Sequence, residues 1–292
     1  MDKKMWDELH SYLDSEHPCI VCNSKDLKSW AKLNYLSAKK CVHCGMISVN
    51  PHFNDEGLRL LYSSYFQKRE ENEFLKIQRD DVYEIDHNWV TKFIDVGTVL
   101  DIGCSGGFFL SKFSADKWER EGVEIAGDSA DYAQNNYGIN IHEGLITEIE
   151  FDKKYDLVMM RGVIEHFRDP ISVFEKCKDL INPGGYIFLT ATPAGDSFAF
   201  DVYREKWVLF SPLDHIHFFT IDLLNEVLQR YGFIHVSHHY QYQETPYANP
   251  GRDFDKIQKD ICLKAEGRFS EIDGSVPFPG SMLTGLWQKS CT

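Results

Sequence analysis

The chain has 292 residues, 43% hydrophobic, 14% aromatic and 26% charged, with 45 acidic side chains against 31 basic ones and a formal net charge of −14. That composition excludes a disordered, collagen-like or coiled-coil chain, and the length predicts one large domain with a small module beside it. The acidic balance argues against a phosphate-backbone partner, so nucleic acid is not expected.

The opening MDKKMWDELH lacks the apolar stretch of a secretory leader, and no apolar run reaches the ~18 residues of a membrane span, so a cytoplasmic protein is expected. Two cysteine pairs follow, Cys19-Ile-Val-Cys22 and Cys41-Val-His-Cys44, separated by 18 residues. Paired CxxC without a leader points to zinc rather than disulfides. The two-residue gap lets both thiolates of a knuckle reach one face of a metal, and two knuckles complete a closed, structural site. Cys19, Cys22, Cys41 and Cys44 are therefore the expected ligands of a structural Zn2+. Asn23 and Gly45, just past the knuckles, tolerate the positive φ such turns need. Residues 1–54 read as a zinc ribbon with an N-terminal helix. Lys25, Lys28, Lys32, Lys39 and Lys40 make this module locally basic, leaving −11 of the net charge to the residues after 97. Cys104, Cys177, Cys262 and Cys291 read as incidental.

Residues 55–97 read as connecting helices. Leu58, Leu61, Tyr62 and Tyr65 recur at helical spacing, and so do Ile77, Val82, Ile85, Trp89, Val90, Phe93 and Ile94. From Thr98 the pattern becomes short apolar runs alternating with helical stretches. Strands are predicted at 98–102, 117–124, 139–142, 155–161 and 185–190, with helices at 108–114, 129–137 and 171–181. Such βα alternation builds a parallel sheet covered by helices. A later helix is predicted at 221–231, a closing antiparallel pair at 233–240 and 281–288, and a loop insertion near 241–280.

Val99-Leu100-Asp101-Ile102-Gly103-Cys104-Ser105-Gly106-Gly107-Phe108 carries the most information. A buried strand ends in an acid, and a glycine-rich turn opens backbone N–H groups to a ligand. The spacing is neither the dinucleotide Gly-x-Gly-x-x-Gly nor a phosphate loop. Glu124 ends the next strand 23 residues on, where an acid can take both hydroxyls of a ribose. Tyr155 to Pro170 (YDLVMMRGVIEHFRDP) and Asn182-Pro183-Gly184-Gly185-Tyr186 follow in order.

Taken together, VLDIGCSGGFFL…GVEI…YDLVMMRGVIEHFRDP…INPGGYIFL resembles the class I S-adenosylmethionine (SAM) methyltransferases. The segment CIVC…CVHCGMISVNP…LYSSYF resembles the zinc ribbon preceding that domain in some bacterial enzymes of sugar, cell-surface-glycan or secondary-metabolite pathways. The resemblance implies an α/β fold over 98–292, a Rossmann-like seven-stranded sheet, mostly parallel with its last strand antiparallel. It implies SAM as cofactor. Asp101, Gly103, Ser105 and Gly107 would line the methionine moiety, Glu124 would hold the ribose, and Arg161 would close over the methionine. The acid that often follows the third strand is replaced here by Glu143-Gly144-Leu145-Ile146, so adenine would rest on backbone near Leu145 and on Ile125 and Ile146. Ubiquinone-pathway relatives bind a metal through Glu-x-x-Glu-His. Here Gly162-Val163-Ile164-Glu165-His166 lacks the first carboxylate, and a catalytic metal is not expected.

Methyl transfer to a hydroxyl or carbon needs alignment and a base, and near neutral pH a histidine serves most readily. His166, His215 and His217 are the candidates. An extended Asp214-His215-Ile216-His217 would put both imidazoles on one face. Tyr62, Tyr65, the 191–220 loop with Phe198, Phe200, Tyr203 and Trp207, and the 241–280 insertion would form the acceptor pocket. The acceptor is expected to be a small molecule, a sugar or other biosynthetic intermediate. The alternatives are an rRNA or tRNA methyltransferase using the Lys-rich ribbon, and a non-catalytic SAM-binding partner subunit. An oligomer is compatible with any of these.

Overall fold

A computed structural model describes residues 3–62 and 73–291, with an N-terminal sheet set against a larger one. Helix α1 (Lys3–His10) precedes the hairpin of β1 (Leu27–Leu33) and β2 (Leu36–Cys41), and β3 (Ile47–Val49) adds antiparallel to β2. The hairpin turns at Asn34, whose positive φ of 54° an asparagine tolerates. Helices α2 (Asp55–Tyr62) and α3 (Glu73–Val90) follow. Tyr65 lies outside the described residues, and so does the side chain of Tyr62.

The larger sheet comprises β4 (Gly97–Ile102), β5 (Trp118–Glu124), β6 (Asn140–Glu143), β7 (Tyr155–Arg161), β8 (Ile181–Pro193), β10 (Phe233–His239) and β11 (Met282–Lys289). Its order is β10-β11-β8-β7-β4-β5-β6. Strands β4 to β8 run parallel, and β11 is antiparallel to both its neighbours. This is the seven-stranded, mostly parallel sheet expected, with its last strand reversed. Buried runs such as Val99–Ile102 and Leu157–Met160 fit central strands covered on both faces. Helices α4 (Gly127–Tyr137), α5 (Pro170–Leu180) and α7 (Ile221–Arg230) connect them. Local chemistry starts α5: the Asp169 carboxylate accepts from the N–H groups of Ile171 and Ser172, both at 3.1 Å, with Pro170 in the first turn. From β4 the chain runs outward one way through β5 and β6 and the other way through β7 and β8. The strand order thus reverses beside β4, where open α/β sheets bind ligands at their carboxyl edge.

Two expectations are corrected. The helix predicted at 108–114 is a single 3-10 turn, Leu110–Lys112. Phe109, Leu110 and Phe113 all bury against the sheet, and Phe113 leaves the turn extended so that Trp118 can enter β5. The insertion is not a loop, because α8 (Pro250–Ala265) crosses it. Asn249 caps that helix by accepting from the N–H of Arg252 at 3.2 Å, and Ile257 and Leu263 make its buried stripe.

The ribbon and the body share their cores. A two-residue strand, β9 (His217–Phe218), leaves the loop after β8 and pairs antiparallel with β3, so the small sheet reads β1-β2-β3-β9. Cys19, Val21, Cys41 and Met46 belong to the same apolar cluster as Leu100, Val158 and Leu189 of the large sheet. A second cluster joins β1, β2 and β3 to α6 (Phe198–Tyr203), to Trp207, Phe210 and Phe218, and to Ile257 of α8. Phe200 and Trp207 stack at 4.5 Å between centroids, and the Tyr203 hydroxyl donates to Asp260 Oδ2 at 2.6 Å. Phe200, Tyr203 and Trp207 are fully buried, so these aromatics pack the layer under the ribbon and offer no face to an acceptor; Phe198 is exposed. Among the described residues no helix is long and apolar enough to cross a membrane.

Candidate functional site

Asp101 sits in β4 in register with Met159 of β7 and Gly122 of β5, one residue before the strand ends. Gly103 then turns the chain with φ +74°, and the N–H groups of Gly103 and Cys104 both donate to the Val123 carbonyl, at 2.8 and 3.1 Å. A Cβ on Gly103 would lie 2.8 Å from a Val163 methyl, so only glycine fits this left-handed turn. Ser105 is a non-glycine residue at φ 51°, and its N–H donates to Glu124 Oε2 at 2.8 Å. Glu124 Oε1 accepts from the N–H groups of Ile125 and Ala126, each at 2.9 Å. Three backbone N–H groups from the turns after β4 and β5 thus hold one carboxylate at the mouth, one of them from a serine at positive φ.

Asp101 is only 2% exposed, and its Oδ1 is buried without a hydrogen-bond partner. Burial pushes its carboxyl well above the ordinary carboxylate range, against the pull of Arg161 and with the Glu124 charge adding to the rise. An orphaned buried acid in a cleft suits a ligand that brings a cationic donor. Arg161, at the end of β7, donates through Nε to Asp86 Oδ2 of α3 at 2.8 Å, and its guanidinium lies 4.5 Å from the Tyr83 ring centre. Leu145 is half-buried in the turn after β6, where the Gly144 N–H donates to the Glu124 carbonyl at 3.0 Å; Ile125 is exposed beside it. The structure brings Asp101, Gly103, Ser105, Glu124 and Arg161 together at the carboxyl edges of β4, β5 and β7. Gly107 stands behind the turn, where a Cβ would meet the Ala133 methyl at 2.9 Å.

A second cluster forms where the turn after β7 meets the loop after β8. Single ligand atoms from Glu165, His166 and His215 all lie within 4.8 Å of one another, a spacing that could hold a metal ion. The imidazole rings of His166 and His215 are 5.0 Å apart. His166 Nδ1 is 2.8 Å from the Asp214 carbonyl, and His215 Nδ1 is 2.8 Å from the Leu209 carbonyl. A carbonyl can only accept, so both rings carry the proton on Nδ1 and leave Nε2 as the acceptor. Glu165 is buried, with Oε2 unpartnered, and desolvation pushes its carboxyl up to about 7, opposed by His215. The two residues present from the Glu-x-x-Glu-His pattern, Glu165 and His166, are thus joined by an imidazole from a distant loop.

His217 does not share a face with His215. The extended stretch is only β9, and His215 sits in a turn where its N–H donates to the Ser211 carbonyl at 2.8 Å. His217 is fully buried against the ribbon: Ser48 Oγ donates to Nδ1 at 3.0 Å, and Nε2 faces the Arg168 carbonyl at 3.4 Å. The geometry corrects its reading as a base, because no acceptor can reach it. Burial, with His52 beside it, pushes His217 down to about 3. The native state keeps this ring neutral, whereas the unfolded chain binds a proton below about pH 6.5. Stability is therefore expected to fall as pH drops from about 6.5 toward 3. His217→Gln should flatten melting temperature against pH across that window, and an unchanged slope overturns this account.

The four ribbon thiols converge. Cys19 and Cys44 Sγ are 3.4 Å apart, and Cys22 and Cys41 Sγ 3.5 Å, near the roughly 3.8 Å edge of a tetrahedron with ~2.3 Å Zn–S bonds. Burial opposes ionisation of Cys41, but the backbone N–H groups of Cys44 and His43 lower it to about 7. Burial pushes the Cys19 and Cys44 thiols up, the cost a cation in the cluster would offset. Of the basic patch, Lys39 pairs with Glu16 at 2.5 Å and Lys40 lies over the Trp30 ring.

Asp86 escaped the sequence reading, and Glu165 entered it only as the acid of a metal pattern that lacks its first carboxylate. Asp86 falls on the apolar stripe of α3 with Val82, Tyr83, Trp89 and Val90, and an acid within such a stripe is the signal that could have found it.

A family model described as a methyltransferase domain matches residues 71–238. Ubiquinone biosynthesis O-methyltransferases are similar in sequence. That of Dinoroseobacter shibae is 30% identical over 152 residues, covering 46% of this chain and 58% of its own. That of Leptothrix cholodnii is 28% identical over 138 residues, covering 42% and 57%. The chain spans about half the length of the curated relatives it matches. Among solved structures, a SAM-dependent methyltransferase from Thermotoga maritima has the same fold, with TM-score 0.54 at 16% identity, covering 79% of this chain and all of that one. So does the magnesium protoporphyrin IX methyltransferase of Synechocystis PCC 6803 with bound S-adenosylhomocysteine, with TM-score 0.56 at 13% identity, covering 81% of this chain and all of that one.

Proposed function

The chain belongs to the family of methyltransferase domains, and on that premise we propose that it transfers the methyl group of SAM to a small-molecule acceptor, with a hydroxyl as the first acceptor group to test. One observation carries the reading: an orphaned buried carboxylate, Asp101, and a guanidinium, Arg161, face one mouth from adjacent strand ends. That pair complements the ammonium and carboxylate of an amino-acid moiety. Glu124, held by three backbone N–H groups, is oriented for the ribose hydroxyls. Exposed Ile125 and half-buried Leu145 offer the apolar surface for adenine. SAM supplies an activated methyl on a sulfonium. This chain's residues align the acceptor and take its proton, a role that falls to His215 or His166 through Nε2. The similarity to O-methyltransferases puts a hydroxyl, on a sugar or another biosynthetic intermediate, first. The ribbon thiols would hold one zinc ion, closed to substrate and architectural.

Calorimetry with S-adenosylhomocysteine and methyl transfer from labelled SAM to a panel of hydroxylated metabolites test the reading. His215→Ala and His166→Ala are each expected to leave nucleoside affinity unchanged, and the variant lacking the base to lose roughly 10²- to 10⁴-fold in turnover. If both variants turn over normally, neither histidine is the base. The 4.8 Å grouping favours a second reading, a divalent cation at Glu165, His166 and His215 that acidifies the acceptor hydroxyl. Turnover that rises with added Mg2+ or Mn2+ and collapses in Glu165→Gln would assign the cluster to that cation.

A further inference from the structure

We propose that Asp86 is a positioning residue that makes α3 part of the cofactor site: it holds the Arg161 guanidinium so that both Nη nitrogens face the ligand's carboxylate. The inference rests on the cofactor reading above and deepens it.

Asp86 is fully buried, and three elements of the body donate to it. Oδ1 accepts from Thr190 Oγ1 of β8 at 2.7 Å and from Gln241 Nε2 just after β10, while Oδ2 accepts from Arg161 Nε at 2.8 Å. Its helical neighbours Val82 and Val90 are buried and apolar. An apolar residue here would anchor the same helix face with a smaller desolvation cost, so the charge calls for another account. The division of donors supplies one. Oδ2 engages one nitrogen of the guanidinium, and Tyr83, one turn away on the same helix, lies under its plane at 4.5 Å. Those two contacts fix both the direction and the tilt of the fork. Nη1 and Nη2 make no hydrogen bond among the described residues, and the Arg161 side chain keeps 16% of its surface open.

The arrangement also prevents self-quenching. Arg161 is close enough to Asp101 for its charge to draw that carboxyl down against burial. Without Asp86 the guanidinium would close on Asp101 or Glu124, and the two charges that a zwitterionic amino-acid moiety needs apart would satisfy each other. Asp86 outcompetes them from α3, which leaves Asp101 Oδ1 orphaned and the fork open.

The test compares two nucleosides. S-adenosylhomocysteine carries the amino-acid moiety, and 5′-methylthioadenosine lacks it. Asp86→Asn is expected to weaken S-adenosylhomocysteine by about tenfold or more in calorimetry and to leave methylthioadenosine unchanged. In an Arg161→Gln background it should cost nothing further. Equal losses for both nucleosides would make Asp86 merely structural, and no loss for either would give it no role; both overturn the proposal. Should Asp86→Asn not fold, Arg161→Lys keeps the charge without the planar fork and is expected to show the same selective loss, with unchanged affinities overturning the proposal. A wild-type protein that binds neither nucleoside overturns the cofactor reading and this proposal with it. Wild-type binding to both, without the selective loss in the variants, overturns this proposal alone.

Discussion

Asp101→Ala is expected to cut S-adenosylhomocysteine affinity by at least about a hundredfold, while the melting temperature of the empty protein holds or rises. The two effects have opposite signs because they come from one side chain. In the empty protein the carboxylate is desolvated, and Oδ1 has no partner. Burial raises its carboxyl, so the folded state binds this proton more tightly than the unfolded chain does. The penalty is absent below the ordinary aspartate range and grows as pH rises above it. Truncation removes that penalty together with the group that would receive the ligand's ammonium. This is the trade of stability for function expected where a site holds a charge ready. Gly103→Arg should lose binding by a different route, since even a Cβ meets Val163 at 2.8 Å and the φ of +74° disfavours a side chain. Unchanged affinity in both variants, read by calorimetry, would refute the assignment of the β4 turn to the cofactor.

Replacing Cys19 and Cys22 with Ser is expected to remove one zinc per chain in elemental analysis and to lower stability by several kcal/mol, since structural zinc contributes about 10 kcal/mol or more in small zinc-dependent folds. The damage should spread beyond the ribbon. Cys19 and Cys41 pack in the same cluster as the central strands of the large sheet, and β9 is held by β3 and by the Ser48–His217 hydrogen bond. His215 lies two residues before β9, so an unfolded ribbon frees the loop that carries it. Methyl transfer should therefore fall more steeply than S-adenosylhomocysteine affinity, because the proposed nucleoside contacts lie on β4, β5 and β7. Retained metal would remove the zinc assignment. Loss of metal with intact turnover would show that the ribbon does not support the loop.

The turn proposed to hold the nucleoside was legible as a piece of structure because it is local. Asp101, Gly103 and Ser105 lie within five residues, and a strand ending in an acid before a glycine-rich turn dictates its own geometry. Glu124 was legible because the next parallel strand returns to the same edge at a regular distance. The insertion was misread because its Pro, Gly and Asp content outweighed the period of Phe254, Ile257 and Ile261 after the Asn249-Pro250 start signal. The aromatic loop was misread for a related reason. Phe200, Tyr203 and Trp207 carry no mark that separates a packed lid from a ligand platform, and only the sheet from the ribbon decided that they would be covered.

The sequence by itself determined what short-range chemistry can determine: the cysteine knuckles, the βα alternation that builds a parallel sheet, and the acid-and-glycine turn. Only the tertiary structure decided the roles of residues whose partners come from far along the chain. His215 and His217 are two residues apart, yet one joins Glu165 and His166 and the other locks onto Ser48. Asp86 meets Arg161, Thr190 and Gln241 across intervals of 75, 104 and 155 residues. A spacing rule cannot reach that far, because burial and pairing at such distances follow from how sheets and helices pack, and packing is a property of the whole chain.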